Sequence, residues 1–151
     1  ITYLSEKALQ RKFGRNLQNS NFFSFDFDID FQIESYLKYQ GSSFVERFDP
    51  NSYLYITRAM DYFDLSTKRG GLSEVFKNSN VKFCFFTFTS DWLFPTSETK
   101  TIIKSLNSSN AMVSFVEIKS DKGHDAFLLD EPEFHDTLRG FLEGQITQQG
   151  I

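Results

Sequence analysis

The second half of the chain predicts an α/β fold, and three observations carry that prediction. VKFCFFTFT, residues 81–89, is nearly continuous in apolar and aromatic residues, as in a parallel strand buried on both faces. AMVSFVEI, residues 111–118, repeats that character after a stretch with the apolar spacing of a helix. A further helical pattern follows, so the order is strand, helix, strand, helix, which a right-handed crossover turns into neighbouring parallel strands.

The elements before the strands predict a helical, aromatic half. SEKALQRKF, residues 5–13, begins on a serine suited to cap a helix, continues in good helix formers, and meets Gly14 where the helix would close. NFFSFDFDIDF, residues 21–31, has the alternation of a strand, but its acids at every second position would crowd like charges on one face, so an irregular arm is expected. Ile33, Tyr36, Leu37, Phe44, Val45 and Phe48 recur at helical spacing. Pro50 suits the first turn of a next helix, whose Leu54, Ile56, Met60 and Phe63 form a broad apolar face.

STKRGGLSE, residues 66–74, interrupts these patterns with paired glycines and marks a boundary. A short helix through Val75 and Phe76 leads into the first strand. TSETKTIIKSLNSS offers Thr96 or Ser97 as a cap and Ile102, Ile103 and Leu106 on one side. DEPEFHDTLRGFL supplies an acidic start, Pro132 in the first turn, and Phe134, Leu138, Phe141 and Leu142 as a buried face. The expected organisation is a helical segment over residues 1–66, a linker and short helix over 67–80, and the α/β part over 81–151.

Composition limits the function. With 151 residues, 40% hydrophobic and 24% charged, the chain suits one globular domain. Its formal charge of −4 is spread over interspersed acids and bases, with no basic stripe for nucleic acid. No apolar run approaches the roughly 20 residues of a membrane span. The single cysteine, Cys84, excludes an internal disulfide and offers no metal-ligand spacing, so no metal is expected and a reducing, cytoplasmic setting fits.

Two side chains stand where parallel strands place chemistry. Asp91 and His124 each follow the carboxyl end of a predicted strand, the edge at which α/β proteins bind ligands. Parallel neighbours lie about 4.8 Å apart, so a carboxylate-to-imidazole hydrogen bond is within reach. Such a bond fixes the tautomer of a general base that serves a nucleophilic hydroxyl. The hydroxyl itself is not found. No G-x-S-x-G elbow exists, and GLSEV with Ser73 lacks the second glycine and follows no apolar strand. Since a stable sheet usually needs three or more strands, the expectation is a C-terminal part of a longer chain.

ITYLSEKALQRKFGR, ESYLKYQGSSFVERFDPNSYLYITRAMDYFDL, FTSDWLFP and SDKGHDAFLL, in this order, resemble the second half of the homoserine O-acetyltransferase family, α/β-hydrolase-fold enzymes of methionine biosynthesis. The resemblance implies a C-terminal portion of an α/β-hydrolase fold preceded by a helical lid, which in the family commonly builds a homodimer. It implies Asp91 as triad acid, His124 as triad base, Asp125 as a partner of the substrate ammonium, and Tyr3 near the substrate. The nucleophilic serine and oxyanion donors would fall before Ile1. L-Homoserine and acetyl-CoA are the implied substrates, with no bound cofactor, no nucleic acid and no membrane. A succinyl donor, another hydroxy amino acid acceptor, or a serine esterase stay open, and the isolated chain is expected to be inactive. His135 is read as a surface residue, Trp92, Tyr53, Tyr55 and Cys84 as packing, and Gly70 and Gly71 as a linker.

Overall fold

The expected alternation of strand and helix is present between Lys82 and Gln149. The computed structural model describes residues 3–19 and 22–149. Asn21, the expected first residue of the arm, lies outside them, as do Ile1, Thr2, Ser20, Gly150 and Ile151. The elements are α1 (Glu6–Lys12), α2 (Gln32–Arg47), α3 (Pro50–Tyr62), α4 (Leu72–Val75), β1 (Lys82–Phe88), α5 (Thr96–Ser108), β2 (Met112–Ile118), a 3₁₀ turn (His124–Leu128) and α6 (Pro132–Gln149). The chain divides into two compact units, residues 9–64 and residues 1–8 with 65–151, and the division falls within α1.

In the unit of residues 1–8 and 65–151, β1 and β2 pair in parallel, from Lys82 opposite Met112 to Phe88 opposite Ile118. The fold class is therefore α/β with a small parallel sheet. Both strands end together, so their outgoing loops emerge at one edge. Phe88, Ile118 and Ala126 form the core, with Phe86, Val116 and Phe134 packed against it. The expected burial of β1 on both faces is not realised. Only Thr87 and Phe88 of that strand are buried, because a two-stranded sheet leaves outer edges uncovered.

Helix α5 packs on both strands and on α4, and its Leu106 is wholly enclosed. Burial of a leucine of this kind stabilises by roughly 1.5–3 kcal/mol. The helix stops in a Schellman motif: Ala111 N–H donates to Leu106 O and Asn110 N–H to Asn107 O, with Asn110 at φ +57°. An asparagine tolerates that left-handed turn, which frees the chain to enter β2. Its start differs from expectation. Pro95, extended at φ −65° and ψ 147°, occupies the cap position without a side-chain bond, and Thr96 is already helical. Within α6, Leu142 is exposed rather than part of a buried face.

The unit of residues 9–64 is held by local devices. Asp49 caps α3 by accepting from Ser52 N–H at 2.6 Å, and Pro50 opens the helix. Glu34 of α2 accepts from Asp30 and Phe31 N–H at 3.0 and 2.9 Å. Leu17 and Phe31 form an antiparallel bridge that ties the ends of the arm, whose described residues Phe22 to Asp30 carry no regular structure. Neither α2 nor α3 has a buried residue, and the predicted apolar face of Leu54, Ile56, Met60 and Phe63 is exposed.

Candidate active site

The polypeptide leaving β1 turns at once. Asp91 N–H donates to Phe88 O at 3.0 Å, closing the turn. The carboxylate then divides its two oxygens between different tasks. Oδ1 accepts from Leu93 N–H at 3.0 Å and Phe94 N–H at 2.9 Å, while Oδ2 lies 2.8 Å from Nδ1 of His124. The side chains of Asp91 and His124 are 6% and 22% exposed, so the bond is shielded while one side of the ring remains reachable. A carboxylate fixed on one oxygen cannot rotate freely. Its other oxygen therefore selects the imidazole tautomer with hydrogen on Nδ1, which leaves Nε2 as the basic atom.

The two loops are joined beyond the sheet by side chains of residue types suited to the task. Thr89 Oγ1 donates to Ser120 O at 3.0 Å and accepts from Ser120 N–H at 3.2 Å. Ser90 Oγ accepts from Gly123 N–H at 3.0 Å. The strand pairing is thus continued by hydroxyls where the backbones diverge. Ser120 Oγ also bonds Glu131, which pairs with Lys122 at 3.3 Å.

Gly123 requires glycine for two separate reasons. Its φ of +84° with ψ −154° is a region that side chains disfavour strongly. A β-carbon there would also stand 2.5 Å from Ser5 N and from Tyr3 O. The Tyr3–Ser5 segment lies directly against the glycine, and the Tyr3 ring is centred 5.3 Å from the His124 ring. Phe94 at 5.0 Å and Phe127 at 5.8 Å complete an aromatic surround. A cavity of about 360 Å³ opens beside Asp91 and His124, walled by Phe94, Phe127, Phe134 and β1.

The four residues singled out in the sequence come together. Asp125 follows His124 in the 3₁₀ turn and donates its N–H to Tyr3 O at 3.4 Å. Ser90, Thr89, Ser120 and the 3₁₀ turn were not anticipated. Serines and threonines one or two residues past paired strands are the signal that could have found them. Trp92 is 58% exposed, and its Nε1 donates to Leu4 O at 3.1 Å, so it is a tie between segments rather than a packing residue. Cys84 lines the cavity, where burial raises its thiol pKa. Among the described residues no group of three or more His, Cys, Asp or Glu could hold a metal ion, and no helix is long and apolar enough to cross a membrane.

No family model matches the chain. Curated proteins do match it from end to end. A homoserine O-acetyltransferase of Rhodospirillum rubrum is 60% identical over 152 residues, covering 100% of this chain and 39% of the relative. Proteins of that name from Rhodopseudomonas palustris and Caulobacter vibrioides are 60% and 58% identical, with 38% and 40% of their lengths covered. The chain is thus homologous throughout to homoserine O-acetyltransferases and spans about two fifths of their length.

Proposed function

We propose that the protein to which these 151 residues contribute transfers an acetyl group from acetyl-CoA to the hydroxyl of L-homoserine, a step of methionine biosynthesis, by a Ser-His-Asp double displacement. The observation that carries this reading is the anchored Asp91 carboxylate bonded to Nδ1 of His124 at 2.8 Å. The serine is supplied by the part of the relatives' length that this chain does not span.

In the first half-reaction the serine oxygen attacks the thioester carbonyl while Nε2 of His124 takes its proton. The tetrahedral adduct collapses, the carbon–sulfur bond breaks, and the thiolate of CoA leaves with the proton from the imidazolium. In the second, Nε2 removes the proton of the homoserine hydroxyl, whose oxygen attacks the acetyl-enzyme. Collapse of this adduct returns the proton to the serine. Asp91 stays ionised and orients the ring throughout. Asp125, adjacent to His124, pairs with the substrate ammonium, and Tyr3 lines the approach.

The architecture belongs to the same reading. Residues 81–151 are the C-terminal part of an α/β-hydrolase core, residues 67–80 a linker and short helix, and residues 1–66 mainly a lid that keeps water from the acetyl-enzyme. The exposed apolar side chains of α2 and α3, among them Phe44, Leu54 and Tyr55, form a homodimer contact with a second copy. The working location is the cytoplasm.

Release of free CoA, measured on the complete protein with and without L-homoserine, tests the proposal. Release that requires homoserine supports it. Equal release without an acceptor would assign an esterase, and preference for succinyl-CoA would assign a succinyltransferase. The 151 residues alone are expected to release no CoA.

A further inference from the structure

The catalytic pair sits on two loops, and a third segment touches both. Trp92, the residue after Asp91, donates from Nε1 to Leu4 O at 3.1 Å. Asp125, the residue after His124, donates its N–H to Tyr3 O at 3.4 Å. Ser5 Oγ bonds Asp121 O in the loop that carries His124, and also accepts from Ala8 N–H at 3.0 Å to cap the start of α1. Ser5 is buried, and its backbone leaves no room for a β-carbon on Gly123. The three-residue segment is therefore bonded to the Asp91 loop once and to the His124 loop twice.

The indole N–H of Trp92 meets a main-chain carbonyl 88 residues away in sequence, and that carbonyl belongs to the segment lying on Gly123. We propose that Trp92 is a positioning residue: its bond to Leu4 O clasps the Tyr3–Ser5 segment over Gly123 and keeps the His124 ring at bonding distance from Asp91. The segment acts on the ring from two sides. Tyr3 lies beside the imidazole, and the packing on Gly123 fixes the backbone from which the imidazole projects.

The inference rests on the acyl-transfer reading for its functional meaning, but its test does not. In the complete protein, hydrogen exchange of the His124 Nδ1–H proton is followed by NMR in wild type and Trp92→Phe, which keeps an aromatic ring and removes the donor. One neutral hydrogen bond corresponds to about a fivefold change in an opening equilibrium, so exchange should quicken about fivefold, while kcat falls only slightly as long as the open state stays a minor species. Ser5→Ala, which releases the tie to Asp121, should act in the same direction and serves if Trp92→Phe does not fold. Faster exchange in a protein with no acyl-transfer activity would uphold the clasp and reject the activity. Unchanged exchange in a folded Trp92→Phe protein would overturn the clasp.

Discussion

The unit of residues 1–8 and 65–151 and the unit of residues 9–64 are both rich in aromatic side chains, yet they use them differently. In the first, Phe88 is buried with Ile118 and Ala126, and Phe134 packs on them edge-on. In the second, Phe13 is the one buried residue among those described, and rings such as Phe44 and Phe48 stack at 4.6 Å on the surface. The first unit is also tied across long stretches of sequence, at Thr89–Ser120, Ser90–Gly123 and Asp91–His124. The second relies on helix caps, the backbone bonds around the Leu17–Phe31 bridge, and ring contacts such as Phe13–Tyr36 and Phe44–Tyr53. Apolar content therefore does not distinguish a core from a surface. What distinguishes them is whether a second layer and cross-linking polar groups meet the apolar face.

The largest effect expected of this difference is on chemistry. In the complete protein His124→Ala should lower acetyl transfer by at least about 10³-fold, and Asp91→Asn by a comparable factor, as removals of triad members do. Tyr55→Ala, on the exposed surface of α3, should leave the chemical step within a few-fold. Steady-state rates with acetyl-CoA and L-homoserine decide the matter. Near-normal turnover of His124→Ala would remove the base assignment, and a loss at Tyr55 equal to that at His124 would erase the contrast between the units.

Stability should follow the same division. Leu106 is wholly enclosed and Leu54 is 62% exposed. Leu106→Ala should therefore cost about 2–5 kcal/mol through lost burial and a residual cavity. Leu54→Ala should stay within about 0.5 kcal/mol while the chain is monomeric, as surface changes do, and cost more where the proposed dimer covers α3. Denaturant unfolding of both variants measures the pair. A cost at Leu54 approaching that at Leu106 would mean that α3 is covered in the complete protein, which is the result the dimer proposal requires.

How much of this was legible in the sequence depended on the range of the interaction involved. Both strands, the breaks at Gly14 and Gly70–Gly71, and the start of α3 at Pro50 are encoded locally, and each falls within a residue or so of expectation. Asp91 and His124 were legible because parallel strands bring their carboxyl ends to one edge, whatever the intervening loop contains. The cap of α5 was misplaced because Pro95 can hold an extended backbone without any side-chain bond. Trp92, Ser90 and the fit of Ser5 on Gly123 were hidden for a different reason. Each depends on a partner distant in the chain, and nothing in the pattern around a tryptophan or a serine names that partner. Burial in β1 was overestimated because an apolar run tells what a strand is suited to, not how many neighbours this chain supplies.

A smaller effect tests the shielding of the sheet. Burial raises the pKa of the Cys84 thiol above its ordinary 9.0, so the folded state retains a proton that the unfolded chain gives up. The associated stability is complete below the unfolded value and is lost as pH rises through the folded one. At mildly alkaline pH, alkylation of Cys84 by iodoacetamide should therefore be slower in the folded protein than in urea, since the thiolate is the nucleophile. Equal rates would show that the cavity wall at β1 admits water freely, and the unit would lose its claim to a shielded interior.

The smallest effect belongs to the unit of local ties. The Asp49 carboxylate is held below its ordinary 3.8, first by the backbone N–H of Ser52 and then by the Ser52 side chain, against a smaller opposing effect of burial that itself exceeds the last contribution, from Asn51 N–H. A lowered value means the folded state favours the ionised form. Its contribution is present above the unfolded pKa and disappears as pH falls through the folded one. The Ser52 amide resonance should therefore titrate with a midpoint under 3.8, and Asp49→Asn, which can still accept a bond but carries no charge, should abolish that titration while keeping α3 helical. A midpoint at or above 3.8 would mean the cap is not formed in solution. The 9–64 unit would then lack even the local device that starts its most apolar helix, and its order would have to come from whatever covers that exposed face.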